Sequence, residues 1–364
     1  MADRAVSYVI RQWMQAFGAF AIVAVIISGV FYLSALSTPE PLDHYRQLLI
    51  YDFAASKDFV TFPVVLTGNT SGLIFIDRRT GKQSIIYENG VVMHLPFLSS
   101  DGKRLLFVQR KTPKQDKELI SCEIANWQCD ILLKTTATIF SPVEVAPDTI
   151  IYSSSPLTIH DKRKRAVNHD VYLIKKGQAP VRLDNFDAYD LSSISIAGHR
   201  MLFEGIGLYD TGLLPIPEPL AAASSTIFSV ELADDYRIIL PKGQLKPLFV
   251  IKGYSSDPSI APDGQHVAFL NRRNTQGKAH FNIAVADASG KIIRYIKTQE
   301  FAFSRPQFVD QSIVANELHE NNYEVKEYAL SGKSDRLLFS IDNSVDSLKK
   351  LRRIMLAYAP RKQN

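Results

Sequence analysis

The sequence predicts an all-β chain: a β-propeller of about six four-stranded blades, preceded by one N-terminal transmembrane helix. Three observations point there. A single uncharged apolar run lies near the N-terminus, a long succession of short apolar segments separated by turn residues follows it, and those segments repeat with a period of roughly 40 to 50 residues, the range of propeller blades. At 364 residues, with 46% hydrophobic and 22% charged side chains, the chain has the apolar content to bury a large core, which excludes an intrinsically disordered protein.

The first element is the run from Ala16 to Leu36, which contains Phe17, Phe20, Ile26, Val30, Phe31 and Leu33 and no charge. About 21 residues of helix cover roughly 30 Å, the hydrocarbon thickness of a bilayer. Trp13 and Tyr32 sit where interfacial aromatic anchors sit. Arg4 and Arg11 precede the run and Glu40 and Asp43 follow it, so the positive-inside bias puts the N-terminus in the cytoplasm. On this reading residues 1–15 are a cytoplasmic tail, 16–36 the membrane helix, 37–59 a linker and 60–360 a propeller in the periplasm, held at the inner (cytoplasmic) membrane. Two alternatives stand beside it: a cleaved signal peptide, since Ala35 and Ser37 are small residues at cleavage spacing, and a buried core helix.

The chain has two cysteines, Cys122 and Cys129. If Ala125 and Asn126 make a two-residue hairpin loop, Cys122 faces Cys129 across the ladder, within disulfide reach. Closing so short a loop is worth about 2–3 kcal/mol in the chain-entropy model, and a disulfide fits an extracytoplasmic location. The alternative is a pair of free buried thiols.

Self-similarity is clearest between residues 95–107 and 257–269. Leu95 and Pro96 align with Asp257 and Pro258, Asp101 and Gly102 with Asp263 and Gly264, and Phe107 with Phe269. Each copy reads as a strand, an Asp-Gly turn and a second strand. Fainter copies begin near Ser141 and Pro142, near Ser193, and at Arg305 and Pro306. A second hairpin follows each, in 118–133, 171–183, 227–251, 281–296 and 323–340, and an opening copy runs from Leu73 to Tyr87. That opening unit is short of one strand, which the apolar run Ile354 to Tyr358 would supply by closing the ring.

The repeat resembles that of the TolB-type propeller family, whose signature is a proline, an aromatic or apolar residue, then Ser-Pro-Asp-Gly and an apolar strand. Pro258, Pro262, Asp263 and Gly264 match it best, and Pro96, Phe97, Ser99, Asp101 and Gly102 next. The resemblance spans residues 60 to 340 and implies a propeller with protein partners rather than a catalyst. No counterpart is expected for the globular domain that precedes the propeller in that family, so its partner in the Tol system is not carried over.

Two insertions depart from the repeat. In the third unit Lys162, Arg163, Lys164 and Arg165 form a basic loop that would engage an acidic partner unless it is simply solvated. In the fourth, the stretch Gly205 to Ser225 carries Leu208, Tyr209, Leu213, Leu214 and Ile216. An apolar loop of that length is costly to expose, so it is expected to plug one mouth of the ring or to dock a protein or a membrane surface. The net charge of +5 and pI near 9.0 favour acidic partners such as lipid headgroups or acidic polysaccharide, and an extracytoplasmic location argues against nucleic acid.

No Gly-x-Ser-x-Gly, His-Glu-x-x-His or glycine-rich phosphate loop occurs, which disfavours serine hydrolases, zinc proteases and nucleotide binding. No cofactor and no metal are expected. The leading expectation is a non-enzymatic scaffold or accessory subunit of a membrane complex. Its rival is a propeller that binds or cleaves envelope glycans with paired carboxylates drawn from Asp187, Asp190, Asp210, Glu317 and Glu320.

Overall fold

Unbroken apolar runs such as Leu105-Leu106-Phe107-Val108 suit strands covered on both faces. The computed structural model describes residues 53–342 apart from 68–69, 89, 100, 112–115, 156, 161–162, 167–168, 184–187, 209–225, 240–247, 249–253, 273–280, 299–300, 303–304, 320–321 and 333–334. All of them lie in the second of the two units into which the chain divides, residues 48–364. The expected tail, membrane helix and closing strand Ile354 to Tyr358 lie outside the described residues, among which no helix is long and apolar enough to cross a membrane.

Six antiparallel sheets follow one another along the chain, each with its strands in sequence order. Blade 1 comprises Ala54–Ala55, Phe59–Thr67, Thr70–Asp77 and Gln83–Tyr87; blade 2, Val92–Leu98, Arg104–Arg110, Lys117–Glu123 and Cys129–Thr135. Blade 3 comprises Thr138–Ala146, Thr149–Ser155, Asp170–Lys175 and Val181–Arg182; blade 4, Ala188–Ala197, Arg200–Leu208, Thr226–Leu232 and Ile238–Ile239. Blade 5 comprises Tyr254–Ile260, His266–Arg272, Asn282–Asp287 and Ile292–Ile296. In blade 6 the inner strand comes in two pieces, Phe301–Ala302 and Gln307–Val309, before Ser312–His319, Asn322–Ala329 and Asp335–Asp342.

The period-2 alternation of a strand explains the apolar runs. Along the second strand of blade 2, Leu105 and Phe107 pack toward blade 1 while Leu106 and Val108 pack toward blade 3. In blade 4, Met201 and Phe203 face blade 3 and Leu202 faces blade 5. Both sheet faces are thus buried, and the core is six apolar clusters, one between each neighbouring pair of blades. The cluster between blades 6 and 1, with Val314 and Phe339 against Phe62 and Ile76, closes the ring.

Side chains also staple blade to blade. Ser71 Oγ donates to the Met93 carbonyl at 2.7 Å, linking blades 1 and 2, and Arg104 pairs with Glu144 at 2.9 Å between blades 2 and 3. Arg294 donates to the Ala329 carbonyl at 3.1 Å between blades 5 and 6. Arg78 pairs with Glu327 at 2.9 Å between blades 1 and 6.

Two sequence-based expectations change. The opening blade holds four strands within residues 54–87, because Ala54–Ala55 pairs with Thr61 and Val60; the ring's first strand therefore lies inside the segment 37–59 read as linker. The missing strand does not need to be supplied from the C-terminus. The Cys122–Cys129 hairpin is not a two-residue loop either: Trp127 takes φ +56° and its N–H donates to the Glu123 carbonyl, so the turn spans residues 124–128.

Candidate functional site

Each inner strand of blades 2 to 5 carries a register shift at its middle, and the residue there stands in the left-handed region: Leu95 (φ +51°), Ser141 (+46°), Ser193 (+52°) and Asp257 (+54°). Three of these precede a proline, Pro96, Pro142 and Pro258, which has no N–H for the ladder and bars the right-handed helical region to its predecessor. Blade 4 keeps the bulge with Ile194 instead, so packing also enforces it. Non-glycine residues in this conformation cost on the order of 1–3 kcal/mol each. The gain is direction: a bulge re-aims the side chain, here into the central channel.

The channel holds a cavity of about 210 Å³ where these positions meet Arg305 of blade 6, which precedes Pro306. A polar belt links four blades around it. The Ser193 N–H donates to Ser141 Oγ at 2.7 Å, Ser193 Oγ donates to Asp257 Oδ1 at 2.8 Å, and the Arg305 guanidinium acts on Asp257 electrostatically while donating to the Ile194 carbonyl of blade 4. The Asp257 N–H donates to Glu204 Oε2 at 3.0 Å. The other side is apolar, with Phe53, Leu95 and Phe140, and His169 stacks on Phe140 with ring centroids 4.9 Å apart.

Burial pushes the Asp257 carboxyl above the ordinary aspartate range, against the Ser193 and Ser256 hydroxyls and the Arg305 cation, which pull it down. Burial likewise lowers Arg305, opposed by Asp257, and leaves a guanidinium cationic. The site is an acid and a permanent cation that interact electrostatically, both partly buried in the wall of a half-apolar cavity.

The second feature is one face of the ring. Connections between second and third strands all emerge on the same side of a propeller. In blades 1 and 6 they are short, between Thr67 and Thr70 and between His319 and Asn322, but in blade 3 the chain runs from Ser155 to Asp170 and in blade 4 from Leu208 to Thr226. The long blade 3 connection contains its own hairpin, Leu157–His160 paired with Arg163–Ala166. The expected basic loop is thus a two-stranded ribbon: Arg163, Lys164 and Arg165 lie on its second strand, and Lys162 lies outside the described residues. Leu208 ends the second strand of blade 4; Tyr209, Leu213, Leu214 and Ile216 lie outside the described residues.

Solved structures with a similar fold include TolB from Acinetobacter baumannii, 13% identical with a TM-score of 0.54 over 76% of this chain and 62% of that one. A putative TolB from Agrobacterium tumefaciens is 16% identical, TM-score 0.51, over 74% and 89%. Pyrococcus horikoshii acylaminoacyl peptidase is 12% identical, TM-score 0.52, over 81% and 53%. The fold is a TolB-like six-bladed propeller. At these identities the likeness is one of fold, and the chain spans only 62% of the Acinetobacter protein and 53% of the peptidase. No protein-family model and no curated protein matches the chain.

In this TolB-like ring the repeat's Asp-Gly pairs are turn devices. The two turns share their hydrogen bonds: the N–H of Ser99 donates to the Arg104 carbonyl and that of Ala261 to the His266 carbonyl, with Gly102 and Gly264 at φ +68° and +70°. Asp101 accepts from Ser99 Oγ at 2.6 Å and from the Lys103 N–H, which holds its carboxyl below the ordinary range; Asp263 accepts from the Gln265 N–H. Cys122 and Cys129 oppose each other in the ladder and are joined by a disulfide. Of the carboxylates considered for glycan cleavage, Glu317 is buried in blade 6 with Lys326 at 3.6 Å, the Asp190 side chain is not described, and Asp187, Asp210 and Glu320 lie outside the described residues. Among the described residues no cluster of three or more His, Cys, Asp or Glu could hold a metal.

The channel residues were missed as a set. Ser141, Ser193 and Arg305 mark repeat starts in the sequence, and Asp257 aligns with a leucine. The signal that could have found them is positional: the residue before the repeat's proline recurs at 95, 141, 257 and 305.

Proposed function

We propose that this chain is a protein-interaction propeller, held at the periplasmic side of the cytoplasmic membrane by its N-terminal helix, which meets its partner through the face carrying the long connections of blades 3 and 4. The observation that carries the reading is their placement. Two departures from the repeat that are separate in sequence, one basic and one apolar, leave neighbouring blades on the same side of the ring. A basic connection and an apolar one on neighbouring blades together have the composition of an interface with an apolar centre and a charged rim. The similarity to TolB structures supports the ring fold, and in this reading the N-terminal helix would supply local concentration at the envelope.

The test replaces residues 157–166, and separately 209–225, by short Gly-Ser turns in the full-length chain. Each variant is crosslinked in native membranes and its co-purifying proteins are quantified. A stoichiometric partner recovered with the wild type and lost from both variants, with thermal unfolding of the ring unchanged, supports the reading. Recovery of the partner by both variants overturns the assignment of the face, and turnover of an envelope glycan by the purified chain overturns the non-enzymatic reading.

A further inference from the structure

The position before the inner-strand proline does not require a charge. Blade 2 places Leu95 there, at the same left-handed φ as Asp257 in blade 5, so the bulge itself is satisfied by an aliphatic side chain. Blades 5 and 6 nevertheless place an acid and a cation within electrostatic reach of each other in the wall of one cavity, where each has lost most of its water. Desolvating such a pair costs more than a hydrophobic replacement of similar size, which argues that the charges serve something other than stability.

Their valences point to what that is. A carboxylate has about four acceptor sites and a guanidinium five donors. Asp257 accepts from Ser193 Oγ at 2.8 Å and from Ser256. Among the described residues the Arg305 guanidinium makes one hydrogen bond, to the Ile194 carbonyl. Both retain capacity toward the cavity, and they present opposite charges to it. Across the cavity stand Phe53, Leu95 and Phe140. A space of about 210 Å³ lies below the usual range for drug-sized ligands, roughly 300–1,000 Å³, and suits a molecule of about ten heavy atoms.

We propose that the channel binds a free α-amino acid with an apolar side chain, its carboxylate on the Arg305 guanidinium, its ammonium on the Asp257 carboxylate and its side chain against Phe53, Leu95 and Phe140. A zwitterion presents a carboxylate and an ammonium to one cavity that offers it both a cation and an acid, and the apolar wall accounts for the rest of the molecule. Bidentate guanidinium recognition of the carboxylate sets the orientation. The apolar wall discriminates only weakly among Leu, Ile, Met and Phe, since one methylene is worth about 10- to 200-fold at most.

The experiment measures binding of leucine, N-acetylleucine, leucinamide and leucylleucine to the full-length chain by titration calorimetry. Leucine is expected to bind, with each of the other three weaker by about 10- to 100-fold, the worth of one charge-assisted contact. Arg305→Gln is expected to erase the preference for leucine over leucinamide, and Asp257→Asn the preference over N-acetylleucine, each leaving the other preference in place. A role limited to tying blades together moves neither preference selectively. If a variant fails to fold, the four-ligand comparison on the wild type still decides. Absence of binding by every apolar amino acid at millimolar concentration overturns the proposal, as does equal binding of all four ligands. Tighter binding of leucylleucine than of leucine moves the ligand to peptides and overturns it too.

Discussion

Blades 2 and 5 carry the two most similar stretches of the chain, and they differ most where they matter most. The two have the same strand register, with Leu98 opposite Leu105 and Ile260 opposite Val267, and the same hydrogen bonds across the turn between them. Two residues earlier the backbone is again the same, at φ +51° and +54°, yet one blade offers the channel Leu95 and the other Asp257. The repeat specifies the backbone through turns, prolines and apolar alternation. It leaves free the side chain that the bulge turns inward, and the chemistry of the channel is written at that free position.

The comparison is broken most forcefully at the core. Phe107→Ala and Phe269→Ala occupy equivalent, buried positions, and each is expected to cost about 3–5 kcal/mol in urea unfolding of the full-length chain. A cost below 1 kcal/mol at one of them would show that the two blades do not carry equal packing.

The next effect separates the blades by pH. His94 lies just before the bulge of blade 2, where blade 5 has Ser256. Burial first, then the Arg110 and Lys117 cations, lower its imidazole from 6.5 to about 4. The unfolded chain therefore takes up this proton near pH 6.5 while the folded chain resists until about pH 4. Its contribution is fully present above pH 6.5 and is lost as pH falls toward 4, by about 3 kcal/mol. His94→Phe, the residue type blade 3 uses at Phe140, should flatten that part of the stability profile measured by denaturant midpoints from pH 7 to 4. An unchanged slope would mean the imidazole is not the group responsible.

Blade 2 also has the disulfide that blade 5 lacks. Replacing Cys122 and Cys129 together by alanine is expected to lower stability by about 2–3 kcal/mol, since the bridge closes a short loop in the unfolded chain; calorimetric melting of the double variant with and without reductant checks it, and only the wild type should respond to reductant. The smallest effect should be the most symmetric. Gly102→Ala and Gly264→Ala each force a Cβ into the left-handed region, at about 1 kcal/mol. No atom lies within 3.4 Å of either added carbon, so the two melting temperatures should fall equally.

Much of the ring was legible in the residues. Asp101-Gly102 and Asp263-Gly264 announce turns, and the second hairpins at 118–133 and 281–296 coincide with the outer strands of blades 2 and 5. The faded copies were harder to place because their turns shorten: in blade 3 Ala146 pairs directly with Thr149, and Asp148 rather than glycine takes the left-handed conformation. The opening blade was misjudged because its inner strand is only Ala54–Ala55, too short to show any alternation.

What the sequence alone determined is local and periodic: the strands, their turns, the number of blades, the burial of both sheet faces and the uncharged run from Ala16 to Leu36. These follow from patterns within one blade, where each residue's environment is set by neighbours a few positions away. Only the tertiary structure decided which side chains meet. Ser193 reaches Ser141 across 52 residues of sequence and Asp257 across 64, Arg305 reaches the Ile194 carbonyl across 111, and Arg78 joins the last blade to the first. Those meetings depend on the curvature of the whole ring and on the angle at which a bulge aims a side chain, and neither quantity is encoded in any window short enough to be read as a pattern.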